Sequence, residues 1–97
     1  MAVNSLVISA LIVEAQALRF TPAGVPALNL VLDHVSETTE AGAERQVNTS
    51  LKAMAFGSVA ERLARQAIGS NWKFEGFLAN ATRSKSVVLH IQDFSPD

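Results

Sequence analysis

The segment 45–69, RQVNTSLKAMAFGSVAERLARQAIG, changes its hydrophobic period at Gly57. Before this glycine, apolar and polar side chains alternate along the chain, which predicts a β-strand. After it, apolar side chains fall on one helical stripe, and Ser58 with Glu61 three residues later forms a capping-box pattern. Gly69 then predicts the end of the helix. The segment therefore predicts a strand that is followed at once by a helix.

Working outward from this segment, similar alternation predicts strands on both sides of it. Residues 22–24, Pro-Ala-Gly, predict a turn after the first strand, because Pro fixes φ and Gly allows unusual backbone angles. Residues 36–44 are polar and acidic with no apolar period, so we expect a flexible loop there. The predicted strands are Asn4–Val13, Ala27–Val35, Arg45–Phe56, Trp72–Ala79 and Lys85–Phe94.

The order of these elements is three strands, a helix and two strands. A long first strand, a helix between strands three and four, and a glycine such as Gly76 at a bend are typical of an OB-fold. An SH3-like barrel is the main rival, but it has no place for this helix. We predict an all-β protein, with residues 1–97 forming a single domain, a five-stranded OB-fold barrel with one short helix between strands 3 and 4.

Composition restricts the environment of this domain. Hydrophobic residues make up 48% of the chain, which is enough for a core, and the formal net charge of −1 provides no general attraction to polyanions. The apolar stretch Leu6–Val13 is far shorter than the ~20 residues that span a bilayer. No Lys or Arg precedes it, which argues against a signal peptide. We expect a cytoplasmic protein with no membrane segment.

Catalytic and metal-binding patterns are missing from the sequence. Both histidines, His34 and His90, lie in alternating strands, and the neighbouring Asp33 and Asp93 point to the opposite faces. The chain contains no cysteine, and its five glycines are scattered and form no phosphate-binding loop. We therefore expect no enzyme, no catalytic residue, no metal and no cofactor. Each histidine is expected to bond to a neighbour or to water.

A row of side chains on the third predicted strand suggests a binding surface. Cationic groups can follow phosphates while flat groups stack on bases, so this mixture suits single-stranded nucleic acid. Alternatively, the cations belong to a solvated strand face, and Phe56 is a core residue at the end of the barrel. The row comprises Arg45, Asn48, Ser50, Lys52, Met54 and Phe56.

Several segments together resemble one protein family. These are ALRFTPAGVP at 17–26, LVLDH at 30–34, EAGAERQ at 40–46, EGF at 75–77 and VLH at 88–90. The combination covers nearly the whole chain and is similar to the primosomal replication protein N family, PriB. This resemblance implies an OB-fold homodimer that binds single-stranded DNA and helps the PriA helicase to restart stalled replication forks together with other primosome proteins.

The resemblance also implies DNA-binding residues. The family's basic contacts match Arg19, Arg45, Arg83 and Lys85, whereas Lys52 and Phe56 occupy strand positions that related single-stranded DNA-binding proteins use for phosphates and bases. The sequence departs from the family at Asn48, where a stacking Trp is expected, at Ala43, where another aromatic is expected, and at Val35, where a basic residue is expected. We therefore expect weaker DNA binding than in basic, aromatic-rich members, with Asn48 still part of the surface.

Two other functions remain open at this point. The domain could serve mainly as a protein-interaction module that docks a helicase or a single-stranded DNA-binding protein, with weak DNA binding. It could instead be an authentic single-stranded DNA-binding protein, but such proteins carry a long tail with an acidic tip, and this sequence stops at Ser95-Pro96-Asp97. The first strand is apolar on both faces, which favours a homodimer that covers it.

Overall fold

A computed structural model describes residues 2–97. Within this range the chain forms one helix and six strands, of which the second has only two residues. The elements in chain order are β1 (Leu6–Ala15), β2 (Arg19–Phe20), β3 (Pro26–Glu40), β4 (Ala43–Phe56), α1 (Ser58–Ala64), β5 (Asn71–Asn80) and β6 (Val87–Pro96).

The five long strands close into a barrel because β1 pairs with two partners. Residues Leu6–Leu11 of β1 pair antiparallel with β5, and Leu11–Ala15 pair antiparallel with β3. The strand order β1-β5-β6-β4-β3 then returns to β1, with β4 and β6 parallel, and β2 extends the outer edge of β3. This arrangement confirms the predicted OB-fold, with the helix between the third and fourth long strands.

The barrel interior is filled by the apolar side chains that the alternation predicts. The helix covers one end of this core through Ala60 and Leu63, both of which are fully buried. Phe74 is also buried as expected, and Trp72 is half-buried against the core with its Nε1 donating to Ser70 Oγ at 2.9 Å. The largest fully buried side chains are Phe74, Ile12, Leu28, Leu32, Leu63 and Leu89.

The helix begins differently from the sequence prediction. Gly57 is the N-cap, with φ 74°, and no side chain caps the helix, so the expected capping box at Ser58 is wrong. Positive φ at Gly57 turns the chain sharply out of β4, and Ser58 is therefore already the first helical residue. The helix also ends at Ala64 instead of near Gly69, because the following residues form isolated turns.

The expected loop at 36–44 is also wrong, because these residues extend the β3–β4 hairpin. Pairing between β3 and β4 is regular from Ala27↔Phe56 to Glu40↔Ala43. The two turn residues, Ala41 and Gly42, have φ of 51° and 80°, the left-handed conformation that two-residue hairpin turns require. The tight turn and the continuous β3–β4 pairing thus hold this polar segment in a regular hairpin, although it has no apolar pattern. We call the distal part of this hairpin, residues 35–48, the arm.

Gly76 confirms the expected irregularity in strand four and explains it. The β5–β6 register shifts between Glu75 and Gly76, because Glu75 faces Asp93 whereas Gly76 faces Ile91. At this β-bulge the two backbones come so close that a Cβ on Gly76 would overlap the carbonyl oxygen of His90. Only glycine therefore fits at this position.

We predict that Gly76→Ala destabilises the domain strongly. The added methyl group can be accommodated only if β6 moves, which is expected to lower the free energy of unfolding by about 3 kcal/mol or more. Gly24→Ala is the control, since its Cβ would meet no atom within 4 Å and the cost is limited to its φ of 83°. Urea denaturation followed by circular dichroism measures both. Equal destabilisation of the two variants would contradict the proposed overlap.

An ion pair fastens the helix to β6. Arg62 Nη2 donates to Asp93 Oδ1 at 3.2 Å, and the same guanidinium lies 5.0 Å from the ring centroid of Phe94. The hydrogen bond from Arg62, followed by one from the Phe94 backbone N–H, lowers the pKa of Asp93 below its ordinary value. The lowered pKa means that ionised Asp93 favours the folded state.

We predict that Arg62→Gln raises the pKa of Asp93 toward its ordinary value. In the parent protein the contribution of Asp93 is present above the unfolded-state pKa and is lost as the pH falls through the lower folded-state pKa. Carboxyl chemical shifts in an NMR titration measure the change. Asp97 is the internal control, because hydrogen bonds from Ser9 and Asn71 lower its pKa instead. An unchanged Asp93 titration would contradict the assignment.

Candidate nucleic-acid interface

A groove of about 500 Å³ opens on the outer side of the barrel between the β3–β4 hairpin and the loop after β5. Lys52 and Met54 of β4 form part of its wall, and Ala81 and Thr82 of the loop form another part. The loop is held by two backbone hydrogen bonds, from Ala81 N to Ser86 O at 2.8 Å and from Ser84 N to Ala81 O at 3.2 Å. The groove thus has a defined wall on each side.

Basic residues surround this groove although the whole chain is slightly acidic. Lys52 lines it directly, and Arg19 donates from Nη2 to Oδ1 of the lining residue Asn29 at 3.0 Å. Arg83 and Lys85 are exposed on the loop that forms the opposite wall. Among the lining residues of the described chain, only Glu14 is acidic. The surroundings therefore combine a concave surface with a local excess of positive charge.

The outer face of β4 carries the predicted row with one exception. The regular register of the hairpin places the even-numbered residues Asn48, Lys52 and Phe56 on the same outward face. Arg45 lies on the opposite face, and its Nη1 donates to Glu40 Oε1 at 2.8 Å. The charge of Arg45 is already paired with Glu40 within the arm. Arg45 therefore differs from the other cations in the direction of its side chain and in having an acidic partner.

Asn48 shares the outward face but lies away from the groove. Four residues separate it from Lys52, which corresponds to about 13 Å along a strand. Asn48 instead borders a second depression, of about 330 Å³, together with Asp33 and Val35. This depression is lined by the acidic residue Asp33 and by His34, but by no Lys or Arg. Asn48 is therefore positioned at the margin of the basic surface.

Three aromatic rings stand together at the other end of the outward face. Phe56 is 41% exposed, and its ring stacks on His90 with centroids 6.1 Å apart and an interplanar angle of 25°. His90 in turn stacks on Phe77, with centroids 4.9 Å apart and an angle of 11°. Sequence reasoning did not name His90 and Phe77 as candidate binding residues. Alternation with buried Leu89 and Gly76 placed both outward, but only the β5–β6 register brings them together.

The other histidine has a structural role. A carbonyl oxygen can only accept, so His34 Nδ1 donates to Ser9 O at 2.6 Å, and Nε2 then accepts from Ser36 Oγ at 2.7 Å. The predicted bonding of His34 to neighbours is confirmed. In residues 2–97 no group of three or more potential metal ligands occurs. Over the same range no helix is long and apolar enough to cross a membrane.

Comparison with known proteins identifies the family. A family model described as "another single-strand binding protein family" matches residues 4–93. Replication restart protein PriB of Bordetella pertussis is 46% identical over 90 residues, which cover 92% of this chain and 84% of that protein. The chain belongs to the PriB family.

Solved structures agree with this assignment. PriB from Ralstonia solanacearum superimposes with a TM-score of 0.91 at 38% identity, and the match covers 98% of both chains. The single-stranded DNA-binding protein from Thermus aquaticus gives a TM-score of 0.77 at 22% identity, covering 98% of this chain and 50% of that one. The second similarity shows a shared fold alone. The resemblance to PriB inferred from the sequence is thus confirmed.

The candidate residues of this PriB-family protein fall into two groups. One group surrounds the groove and the adjoining outward face, and it contains Arg19, Lys52, Phe56, Arg83 and Lys85. The other group lies on the arm, with Asn48 facing outward and Arg45 facing the opposite way. A single ligand that follows the outward face can reach the first group without touching Arg45.

Proposed function

We propose that this PriB-family protein binds single-stranded DNA as a component of the primosome and assists the PriA helicase in replication restart. The observation that carries the proposal is the groove with its surrounding cations, in a chain that has the PriB fold and sequence. The phosphates would follow Lys52, Arg19 and the loop that carries Arg83 and Lys85. The DNA-binding surface then comprises Arg19, Lys52, Phe56, Arg83 and Lys85, with Asn48 at its margin.

This surface supports weak, salt-sensitive binding. Each phosphate contact with a cation releases counterions from the DNA. The four cations, Arg19, Lys52, Arg83 and Lys85, therefore predict that the slope of log affinity against log salt concentration corresponds to only a few charges. The arm opposes binding at its tip, where Glu37, Glu40 and Glu44 accompany a single cation, Arg45. We therefore expect the DNA to remain near the groove and to avoid the tip of the arm.

The protein acts by binding and not by catalysis in this proposal. Its partners are single-stranded DNA, the PriA helicase and other primosome proteins, and it works in the cytoplasm, where the chromosome is replicated. The groove offers cations and amides to a polyanion, and no residue in its wall is a nucleophile activated by a neighbouring base. No cofactor is required for such a role.

A second candidate function is the docking of protein partners with little contribution from DNA binding. The acidic arm favours it, because Arg45 is neutralised by Glu40 and the remaining glutamates present negative charge to a partner. A basic surface on a helicase or on another DNA-binding protein would be complementary to this charge. Both functions can operate together on different faces of the hairpin.

We predict that Lys52→Ala weakens DNA binding more than Arg45→Ala does. Lys52 lines the groove, whereas Arg45 faces away and is paired, so only the first change removes a free cation from the DNA path. Lys52→Ala is expected to lower affinity several-fold and to reduce the salt slope by about one charge. Fluorescence polarisation with labelled oligo-dT at several salt concentrations measures both effects. Equal losses in the two variants would contradict the proposed path.

The same variants distinguish the two candidate functions. If DNA binding drives restart, Lys52→Ala lowers the stimulation of PriA unwinding in parallel with DNA affinity. If protein docking dominates, stimulation is unchanged in Lys52→Ala and falls instead when Glu37 and Glu44 are replaced by Gln. Helicase assays on a forked substrate measure the stimulation.

We also propose that the protein is a homodimer that uses the outer face of β1. Three apolar side chains on this strand are solvent-exposed, with Val7 58%, Leu11 40% and Val13 38% accessible. Along Leu6–Ala10 the strand pairs with β5 alone, so its other edge has no strand partner within residues 2–97. An exposed apolar face beside an open edge is favourable for a two-fold contact between copies.

We predict that Val7→Asp converts the dimer to a monomer. The carboxylate would be buried without a partner in the contact, but it would remain in water on the isolated barrel, so the fold should persist. Light scattering at micromolar concentration measures the mass. Val87→Asp is the matched control, because Val87 is similarly exposed, at 50%, at the start of β6. A monomeric parent protein would refute the dimer.

A further inference from the structure

The side chain of Glu14 lines the basic groove because β1 is irregular at this point. Glu14 pairs with Val31, and Val13 is an extra residue in β1 where the register shifts. In a regular ladder Val13 would lie opposite Val31, and Glu14 would lie opposite Leu30, which is buried in the core. Since directly opposite side chains share a face, the β-bulge redirects the carboxylate from the core to the groove.

Glu14 and Lys52 lie on two sides of the groove without forming an ion pair. Val31 pairs with Glu14 on one side and with Lys52 on the other, so the three side chains share one face of the sheet. The two outer strands are about 10 Å apart here. Neither of the two ion pairs found in residues 2–97 includes Glu14 or Lys52. Both charges are therefore available to a ligand that lies between them.

The floor of the groove between these charges is apolar. Leu30 and Ala53 are partners in adjacent strands and are almost fully buried, so the core fixes their positions. The wall beside Glu14 is held by the backbone N–H of Gln16, which donates to Asn29 O at 3.0 Å. A groove of about 500 Å³ with an apolar floor and a few polar groups at its rim suits a flat ligand such as a nucleobase. The apolar lining residues are Leu30, Val31, Ala53, Met54, Ala81 and Val88.

A carboxylate in this position distinguishes between the parts of a DNA strand. An ionised carboxyl group only accepts hydrogen bonds and repels phosphates, so Glu14 favours a base on its side of the groove. Lys52, on the other side, favours a phosphate. Guanine presents two neighbouring donors, N1–H and the N2 amino group, which match the two carboxylate oxygens. Thymine presents one N3–H between two carbonyl oxygens, and these oxygens repel a carboxylate.

From this geometry we propose that the groove holds one unpaired base and that Glu14 makes the groove prefer guanine to thymine, a proposal that rests on the proposed function. The two carboxylate oxygens of Glu14 accept the N1–H and N2–H donors, the base lies against the apolar floor, and Lys52 holds the adjoining phosphate. Glu14 is thus a specificity-determining residue. A strand of thymines binds weakly because it offers Glu14 no pair of donors.

The test compares oligo-dT with the same strand carrying one central guanine or one deoxyinosine, which lacks the N2 amino group. In fluorescence polarisation at low salt, guanine is expected to raise affinity about fivefold or more, and deoxyinosine to lose most of this gain. In Glu14→Gln the preference is expected to disappear, because a carboxamide has only one acceptor oxygen, while affinity for oligo-dT does not fall. Glu61→Gln is the matched control that keeps the preference, since Glu61 is exposed on α1 and does not line the groove.

The outcomes separate this proposal from the proposed function. If the parent protein binds all three strands equally, or if Glu14→Gln keeps the preference, the proposal is overturned and the proposed function stands. A deoxyinosine strand that binds as tightly as the guanine strand would refute the two-point contact. Loss of the preference in Glu61→Gln as well would show a general effect of charge and would also overturn the proposal. If the parent protein binds none of the strands, the proposed function itself fails.

A second measurement uses the parent protein alone and does not depend on the folding of any variant. Chemical shifts of the glutamate carboxyl carbons are recorded during NMR titration with the guanine-containing strand and with oligo-dT. The Glu14 signal is expected to move with the guanine-containing strand and to move less with oligo-dT, whereas the Glu61 signal is unchanged with both. Equal or absent movement of the Glu14 signal, with backbone shifts confirming DNA binding, would overturn the proposal.

Discussion

The division of β1 between two partner strands is the constraint on which the barrel depends. Its first half is bonded to β5 and its second half to β3, and the register shifts at Val13 between them. This irregularity bends the strand so that one continuous segment belongs to both sides of the barrel. Ile12, fully buried beside the bend, anchors the strand in the core. Without this bend, β3 and β5 could not be joined and the outward face of β4 would lose its support.

The barrel positions the central part of the proposed interface through strand pairing. β4 is held between β3 and β6, which fixes the direction of Lys52, Met54 and Phe56. These outward side chains alternate with Ala53 and Ala55, which are buried in the core. Core packing of the two alanines therefore also fixes the orientation of the outward side chains. The loop after β5 supplies the opposite wall of the groove and carries Arg83 and Lys85. A largely rigid sheet therefore presents cations and rings at fixed spacings, which reduces the ordering cost of binding a flexible polymer.

Local patterns predicted those elements whose apolar period is determined by core packing. The alternation in Ala27–Val35 and Arg45–Phe56 identified two strands and their inward faces because the predicted inward residues are buried or half-buried at the barrel wall, with the exception of Thr49, which is exposed. The arm was missed since its order comes from the turn at Ala41-Gly42 and from backbone hydrogen bonds, which leave no apolar pattern in the sequence. The pairing of His90 with Phe77 depends on the bulge at Gly76. A local sequence pattern does not reveal which residues of two distant strands lie opposite each other. Arg45 was placed with the outward row, although its odd position in an unbroken ladder directs it to the other face.

The hydrogen bond from His34 to Ser9 occupies part of the open edge of β1. Ser9 lies where β1 has no neighbour on one side, and an open strand edge invites the addition of further strands from other copies. Because the imidazole occupies the Ser9 carbonyl, this edge has fewer free acceptors for such additions. A side chain of β3 thus satisfies a backbone acceptor of β1 that a strand from another copy would otherwise use.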